Sequence, residues 1–262
     1  MNTNKKKTVE RYYDQWTRCY LENGYGDIIQ AHRPKDVNEL LQYISQSAGM
    51  KNGMKILDAG CGICGPSVFF ARHFDVHITA ITNSSEQVKL SNENIKRNSL
   101  NNKIEVFKAD YHELGRYFEK ESFDLIIMLE SFGHAVSQKE VLAGTEQVLK
   151  KEGCLYIKDY FAKEITGSRE RKAGMKKAMK NMNKVYAYNL PDLNSTIQTL
   201  RKLNMNLQFV KKTDVPLYNV DSVVAFEKQH NIDIFDGGFH YLFLEPLELY
   251  FRKPTEIDEL IL

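Results

Sequence analysis

The middle of the chain alternates short apolar runs with amphipathic stretches. Residues 55–59, Val76–Ile81 and Lys103–Lys108 are predicted as strands, and Phe123–Leu129 is almost continuously apolar, as expected for a strand buried on both faces. Ser84 or Ser85 caps a long polar helix that runs to about Asn98. A helix is expected over about 138–149, then Gly153 and a fifth strand, Cys154–Asp159. Upstream, residues 8–50 are predicted helical, with Val37, Leu40, Leu41 and Ile44 on one apolar face. After 160 the pattern changes. Residues 163–184, rich in Lys, Arg and Met, are expected as a helical insertion over the site. Asn189–Leu193 opens a helix to about Leu203, Leu207–Lys212 is strand-like, and Val215–His230 is another helical stretch. Phe239–Arg252 is expected as a last, antiparallel strand.

Strands alternating with helices predict an α/β fold, a doubly wound and mostly parallel sheet. Ligands then belong at the C-terminal edge of strands 1 to 4. Neither an internal repeat nor a low-complexity linker interrupts the 262 residues, so a single domain is expected. Its parts are an N-terminal helical cap (1–50), a ligand-binding core (51–160), and a helical insert or lid with the C-terminal strands (161–262).

Charge removes some functions. With 36 basic and 34 acidic residues the net charge is +2, which gives no whole-protein case for nucleic acid. The Lys5-Lys6-Lys7 run is read as a solvated tail. There is no apolar run long enough to span a bilayer and the polar N-terminus does not resemble a signal peptide, so a soluble, cytoplasmic protein is expected. Cys61 and Cys64 have redox or zinc spacing, but no second pair completes a metal site. They are expected as small side chains in a crowded turn, with all four cysteines reduced.

The chemistry concentrates in Lys55-Ile56-Leu57-Asp58-Ala59-Gly60-Cys61-Gly62-Ile63-Cys64-Gly65. An apolar strand ends in a carboxylate and passes into a turn with three glycines, where a ligand can lie directly on the backbone. The spacing also fits a dinucleotide fingerprint, but an acid inside the turn repels a pyrophosphate and favours a cationic amino acid. Asp58-x-Gly60-x-Gly62 resembles motif I of class I S-adenosylmethionine (SAM) methyltransferases. The resemblance implies that Asp58, Gly60, Cys61 and Gly62 receive the methionine part of SAM.

Many of those enzymes end strand 2 in an acid that grips the ribose; here Thr82 and Asn83 stand there, with Gln87 a turn later. These three are expected to bond a ribose hydroxyl without charge. Asp110 and Tyr111 follow strand 3, where the resemblance implies adenine contacts. Glu130-Ser131-Phe132-Gly133-His134 follows strand 4, where the methyl acceptor sits in related enzymes.

The N-terminal Tyr12-Tyr13-Asp14-Gln15-Trp16-Thr17-Arg18-Cys19-Tyr20 and Gly24-Tyr25-Gly26 resemble the aromatic region of sterol and other isoprenoid C-methyltransferases. Gly60–Pro66, Ile81-Thr82-Asn83 with Gln87, and Glu130–Ala135 also look like that branch. The likeness covers about residues 10–160; Cys64 stands where the branch usually has glycine. It implies a Rossmann-like class I methyltransferase fold, seven strands with an antiparallel last one, and Tyr13 and Glu130 beside SAM. A sterol or a smaller prenyl compound, such as a prenyl diphosphate, fits as the small-molecule acceptor.

Methylating an alkene leaves a tertiary carbocation that must be stabilised and then deprotonated. Aromatic faces stabilise cations, and Tyr12, Trp16, Phe132, Tyr218, Phe239 and Tyr241 are the candidate substrate cage, with Tyr13 beside them. Glu130 and His134 are the first candidates for base, followed by Glu245 and His240. A diphosphate would add Mg²⁺ or basic groups from Arg33, Arg169, Arg171, Lys176 and Arg252. No protein metal site is read, since Glu245 and Glu248 are not at same-face strand spacing. The alternatives are an O- or N-methyltransferase of a small metabolite and a SAM-binding protein without turnover. Oligomeric state, a homodimer included, is not legible in the sequence.

Overall fold

The computed structural model describes residues 3–215 and 243–255. Seven strands form one sheet: β1 (Lys55–Ala59), β2 (His77–Thr82), β3 (Ile104–Lys108), β4 (Phe123–Leu129), β5 (Leu149–Ala162), β6 (Asn206–Lys212) and β7 (Leu244–Arg252). Their order is β3-β2-β1-β4-β5-β7-β6, with only β7 antiparallel to its neighbours. Chain order reverses between β1 and β4, and the carboxyl ends of β1–β4 open on one edge there.

Alternate residues of the central strands enter opposite cores, as the two-residue period requires. Ile56, Ile78, Leu125 and Ile127 pack with Leu40, Leu41 and Ile44 of α2 (Val37–Ser47) and Phe70 of α3 (Gly65–His73). Leu57, Ile81, Ile126 and Met128 face the other way, toward Val141 and Leu142 of α6 (Gln138–Val148) and Leu200 of α8 (Leu193–Lys202). Between them α4 (Ser85–Arg97), capped by Ser84 Oγ accepting from the Gln87 N–H, and the short α5 (Leu114–Tyr117) complete the crossovers.

Two expectations change. The helix over 8–50 is broken: α1 (Thr3–Tyr20) runs into a wide turn (Leu21–Tyr25), and residues 26–36 are irregular before α2 begins. Gly26 (φ +58°) starts that irregular segment, and buried Arg33 holds it by donating to the Tyr25 and Ile28 carbonyls. The fifth strand starts five residues early and ends three residues late, because its long antiparallel pairing with β7 extends it to Ala162. The last strand is described from Leu244, so its expected start at Phe239, and the helix expected over Val215–His230 from residue 216 on, lie outside the described residues. Beyond β5, α7 (Arg169–Val185) buries Met175, Ala178 and Met182 against Phe243 and Leu244. No described helix is long and apolar enough to cross a membrane.

Candidate functional site

A cleft of about 880 Å³, counting the space at its open mouth, lies over the strand ends. All eleven residues expected to bind a cofactor line it: Tyr13, Asp58, Gly60, Cys61, Gly62, Thr82, Asn83, Gln87, Asp110, Tyr111 and Glu130. Val9 and Tyr13 come from α1, and Asp27, Ile29 and Gln30 from the irregular segment, so the N-terminal cap forms one wall.

The turn after β1 is shaped by close backbone approaches. Gly60 (φ +95°) lies against Ser131, and the Asp27 carbonyl lies where a side chain at position 65 would have to go. Glycine is the residue that meets both conditions. Cys64 takes φ +61° without that freedom and caps α3; Cys61 and Cys64 are free, buried thiols, as expected of fillers.

Asp58 is 2% exposed and accepts from the Ser67 hydroxyl at 2.5 Å. Burial pushes its carboxyl up to about 6, and the serine bond only partly offsets this. It is a carboxylate short of a cation. At the end of β2, Thr82 Oγ1 donates to Gln87 Oε1 at 2.6 Å and accepts from the Ser84 N–H, a preformed polar pair where an acid was missing. Asp110 takes both the backbone N–H and Nδ1–H of His112, whose Nε2 accepts the Val136 N–H at 3.0 Å.

The end of β4 carries the most unusual chemistry. His134 is 9% exposed; its Nδ1–H donates to the Ala187 carbonyl at 3.2 Å. Its Nε2 is therefore the acceptor for the Tyr13 hydroxyl, at 2.6 Å. Burial drives the imidazole down to about 4, so it keeps a free base at neutral pH. Tyr13 and Tyr188 lie edge-to-face on the ring.

Glu130, at φ +54°, is held rather than free. Oε1 accepts from Lys158 Nζ at 2.5 Å and the His32 N–H at 3.1 Å; Oε2 accepts from the Ala31 N–H at 2.6 Å. Three donors hold this carboxylate in place, whereas His134 keeps Nε2 as an acceptor toward the cleft-lining Tyr13.

Other candidates are not brought together with the cleft. Phe132 is fully buried in the core beneath the strands, and Tyr12 is buried and hydrogen-bonded to Tyr20, outside the cleft lining. Trp16 packs beside Tyr12 in the same aromatic cluster and does not line the cleft either. Packing claims Tyr12 and Trp16 because the N-terminal helix needs an apolar underside. Glu245 is ion-paired with Lys212 at 3.4 Å, away from the cleft. Tyr218, Phe239, Tyr241 and His240 lie outside the described residues. Of the basic candidates, Arg33 is spent on backbone carbonyls, Arg252 pairs with Glu152, and Arg169, Arg171 and Lys176 are exposed. Among the described residues no cluster of three His, Cys, Asp or Glu could hold a metal.

Sequence reasoning missed Gln30, His112, Lys158 and Asp159. Asp159 is buried, accepts from the Gly133 N–H and the Tyr188 hydroxyl, and is pushed by burial up to about 7. The available signal was two consecutive charges, Lys158-Asp159, closing the expected strand Cys154–Asp159, whose other residues are apolar.

The sequence profile described as mycolic acid cyclopropane synthetase matches residues 35–216. A sterol 24-C-methyltransferase of Gibberella zeae is 28% identical over 160 residues, 58% of this chain and 42% of the relative. Cycloartenol-C-24-methyltransferase 1 of Oryza sativa subsp. japonica is 27% identical over 206 residues, 76% of this chain and 58% of that one. The chain thus spans about two fifths to three fifths of the length of these curated relatives. The fold is similar to the [4+2]-cyclase SpnF (TM-score 0.78, 17% identity, 94% of this chain and 95% of that one). It is also similar to geranyl diphosphate C-methyltransferase from Streptomyces coelicolor A3(2) (TM-score 0.71, 12% identity, 96% and 98%).

Proposed function

The chain belongs to the mycolic acid cyclopropane synthetase family, and on that footing we propose that it is a SAM-dependent C-methyltransferase acting on an alkene of a small isoprenoid or related natural product. The observation that carries the reading is one cleft that joins a cation-seeking carboxylate, Asp58, to an uncharged polar pair, Thr82–Gln87, and to the tyrosine–histidine pair. SAM fits these residues. Its ammonium group supplies the charge that buried Asp58 lacks, and its ribose hydroxyls suit Thr82, Asn83 and Gln87. Asp110 and Tyr111 are left for the adenine.

When bound, SAM supplies an electrophilic methyl group. The chain's own residues do the rest. The cap formed by α1 and residues 27–30 keeps the acceptor out of water, so positioning contributes much of the rate. The face of Tyr13 stabilises positive charge on the acceptor. The proton released from it goes to the Tyr13 oxygen as the tyrosine's own proton passes to His134 Nε2. Glu130, paired with Lys158, holds the Ala31–His32 backbone of the cap in place.

An acceptor without a diphosphate is favoured, because the described part of the cleft wall carries Asp27, Asp58, Asp110 and Glu130 but no lysine or arginine. A diphosphate would need Mg²⁺ as a screen. The test is a labelled-SAM transfer screen against sterols, prenyl alcohols, prenyl diphosphates with and without Mg²⁺, and phenols. A methyl on a prenyl carbon supports the reading. Transfer only to oxygen or nitrogen replaces it with a small-metabolite O- or N-methyltransferase.

A further inference from the structure

Lys158 is 1% exposed, and its ammonium meets three acceptors: Gln30 Oε1 at 2.9 Å, the His32 carbonyl at 3.0 Å and Glu130 Oε1 at 2.5 Å. An ammonium has three donors and no acceptor. The oxygen of the Gln30 amide must therefore face the lysine, which fixes which end of the amide is which. The remaining end, Nε2, is a buried donor without a partner, on a side chain that is 2% exposed and lines the cleft. Buried donors are nearly always satisfied, so one left open beside a cleft needs a reason.

We infer that Gln30 is a ligand-recognition residue, oriented by Lys158 to donate its amide N–H to an oxygen of a molecule bound in the cleft. The lysine acts as a positioning residue. Were it absent, the amide could turn over and present its oxygen instead. Glu130 shares the same ammonium and accepts from the Ala31 and His32 N–H groups, so the backbone on the C-terminal side of Gln30 is fixed as well. The oxygen belongs either to the carboxylate of SAM or to a hydroxyl or carbonyl of the methyl acceptor. This inference rests on the cleft being the SAM and acceptor site.

Two variants test it. Gln30→Glu keeps an oxygen on Lys158 and replaces the donor with an acceptor; Gln30→Met keeps the length of the side chain and deletes the donor. The readouts are the affinity for S-adenosylhomocysteine by calorimetry, the acceptor KM, and the melting temperature. Binding of S-adenosylhomocysteine to the unaltered protein is measured first, and its absence would overturn the SAM reading itself. Both variants are expected to weaken one ligand by about tenfold, corresponding to loss of one hydrogen bond to a buried donor. Loss of S-adenosylhomocysteine affinity assigns the oxygen to the cofactor's carboxylate; a raised acceptor KM with unchanged cofactor affinity assigns it to the acceptor. Lys158→Arg, which keeps the charge and a donor facing the amide oxygen, should retain most of both affinities. Unchanged affinities in both glutamine variants, or losses that follow only a fall in melting temperature, overturn the inference.

Discussion

Tyr13, on the first helix, donates its hydroxyl to Nε2 of His134, just beyond β4, across 121 positions of the chain. The bond ties the N-terminal cap to the carboxyl edge of the sheet, and its direction is set by the opposite nitrogen, which donates to Ala187. Under the proposed mechanism the pair removes a proton. Tyr13→Phe should therefore lower kcat by about 10²-fold or more while the acceptor KM changes little, and His134→Asn should do the same. Single-turnover kinetics with a saturating acceptor checks this.

Asp58 gives a pH dependence with a definite sign. Its folded-state value is raised from 3.8 to about 6. Without a ligand it therefore adds stability that is fully present below about 3.8 and lost as pH rises through about 6. Asp58→Asn should stabilise the ligand-free protein at pH 8, by up to about 3 kcal/mol for a shift of roughly two units. The same variant should lose affinity for SAM. In the unaltered protein, affinity should fall as pH drops below about 6, with proton release on binding. Calorimetry in buffers of different ionisation enthalpy measures both.

The break between α1 and α2 was not legible from the pattern, because it is built by distant partners. Arg33 satisfies the Tyr25 and Ile28 carbonyls, and Glu130, about a hundred residues away, accepts from Ala31 and His32. Local propensity cannot anticipate such bonds. By contrast β4 was readable, because a strand buried on both faces leaves a nearly continuous apolar run. That Asp58, Thr82 and Asp110 would line one cleft was also readable, since they lie at strand ends whose turn chemistry is local. The surroundings of Glu130 and His134 were not: Phe132 fills the core, while Lys158 and Asp159 were hidden in what looked like an ordinary strand.

Breaking the Glu130–Lys158 pair should be costly. Lys158→Met leaves a buried carboxylate uncompensated and should destabilise the fold by about 3–5 kcal/mol. Adding Glu130→Gln should recover a large part of that loss. Urea denaturation of the two single variants and the double variant measures the coupling.

Cys64 sits at φ +61° and is fully buried. Cys64→Gly removes about 1–2 kcal/mol of left-handed backbone strain and loses packing of similar size, so stability should change by less than about 1 kcal/mol. Cys64→Val, β-branched at the same φ, should cost more than about 2 kcal/mol. Thermal denaturation of both variants decides it.

The most direct test of the central claim is methyl transfer from SAM carrying a fully deuterated methyl group to a prenyl or sterol alkene, with the product analysed by mass spectrometry. A new methyl on carbon that retains all its deuterium is expected, because the proton removed by Tyr13 and His134 comes from the acceptor. Loss of one deuterium from the added carbon, or a label found only on oxygen or nitrogen, would contradict it.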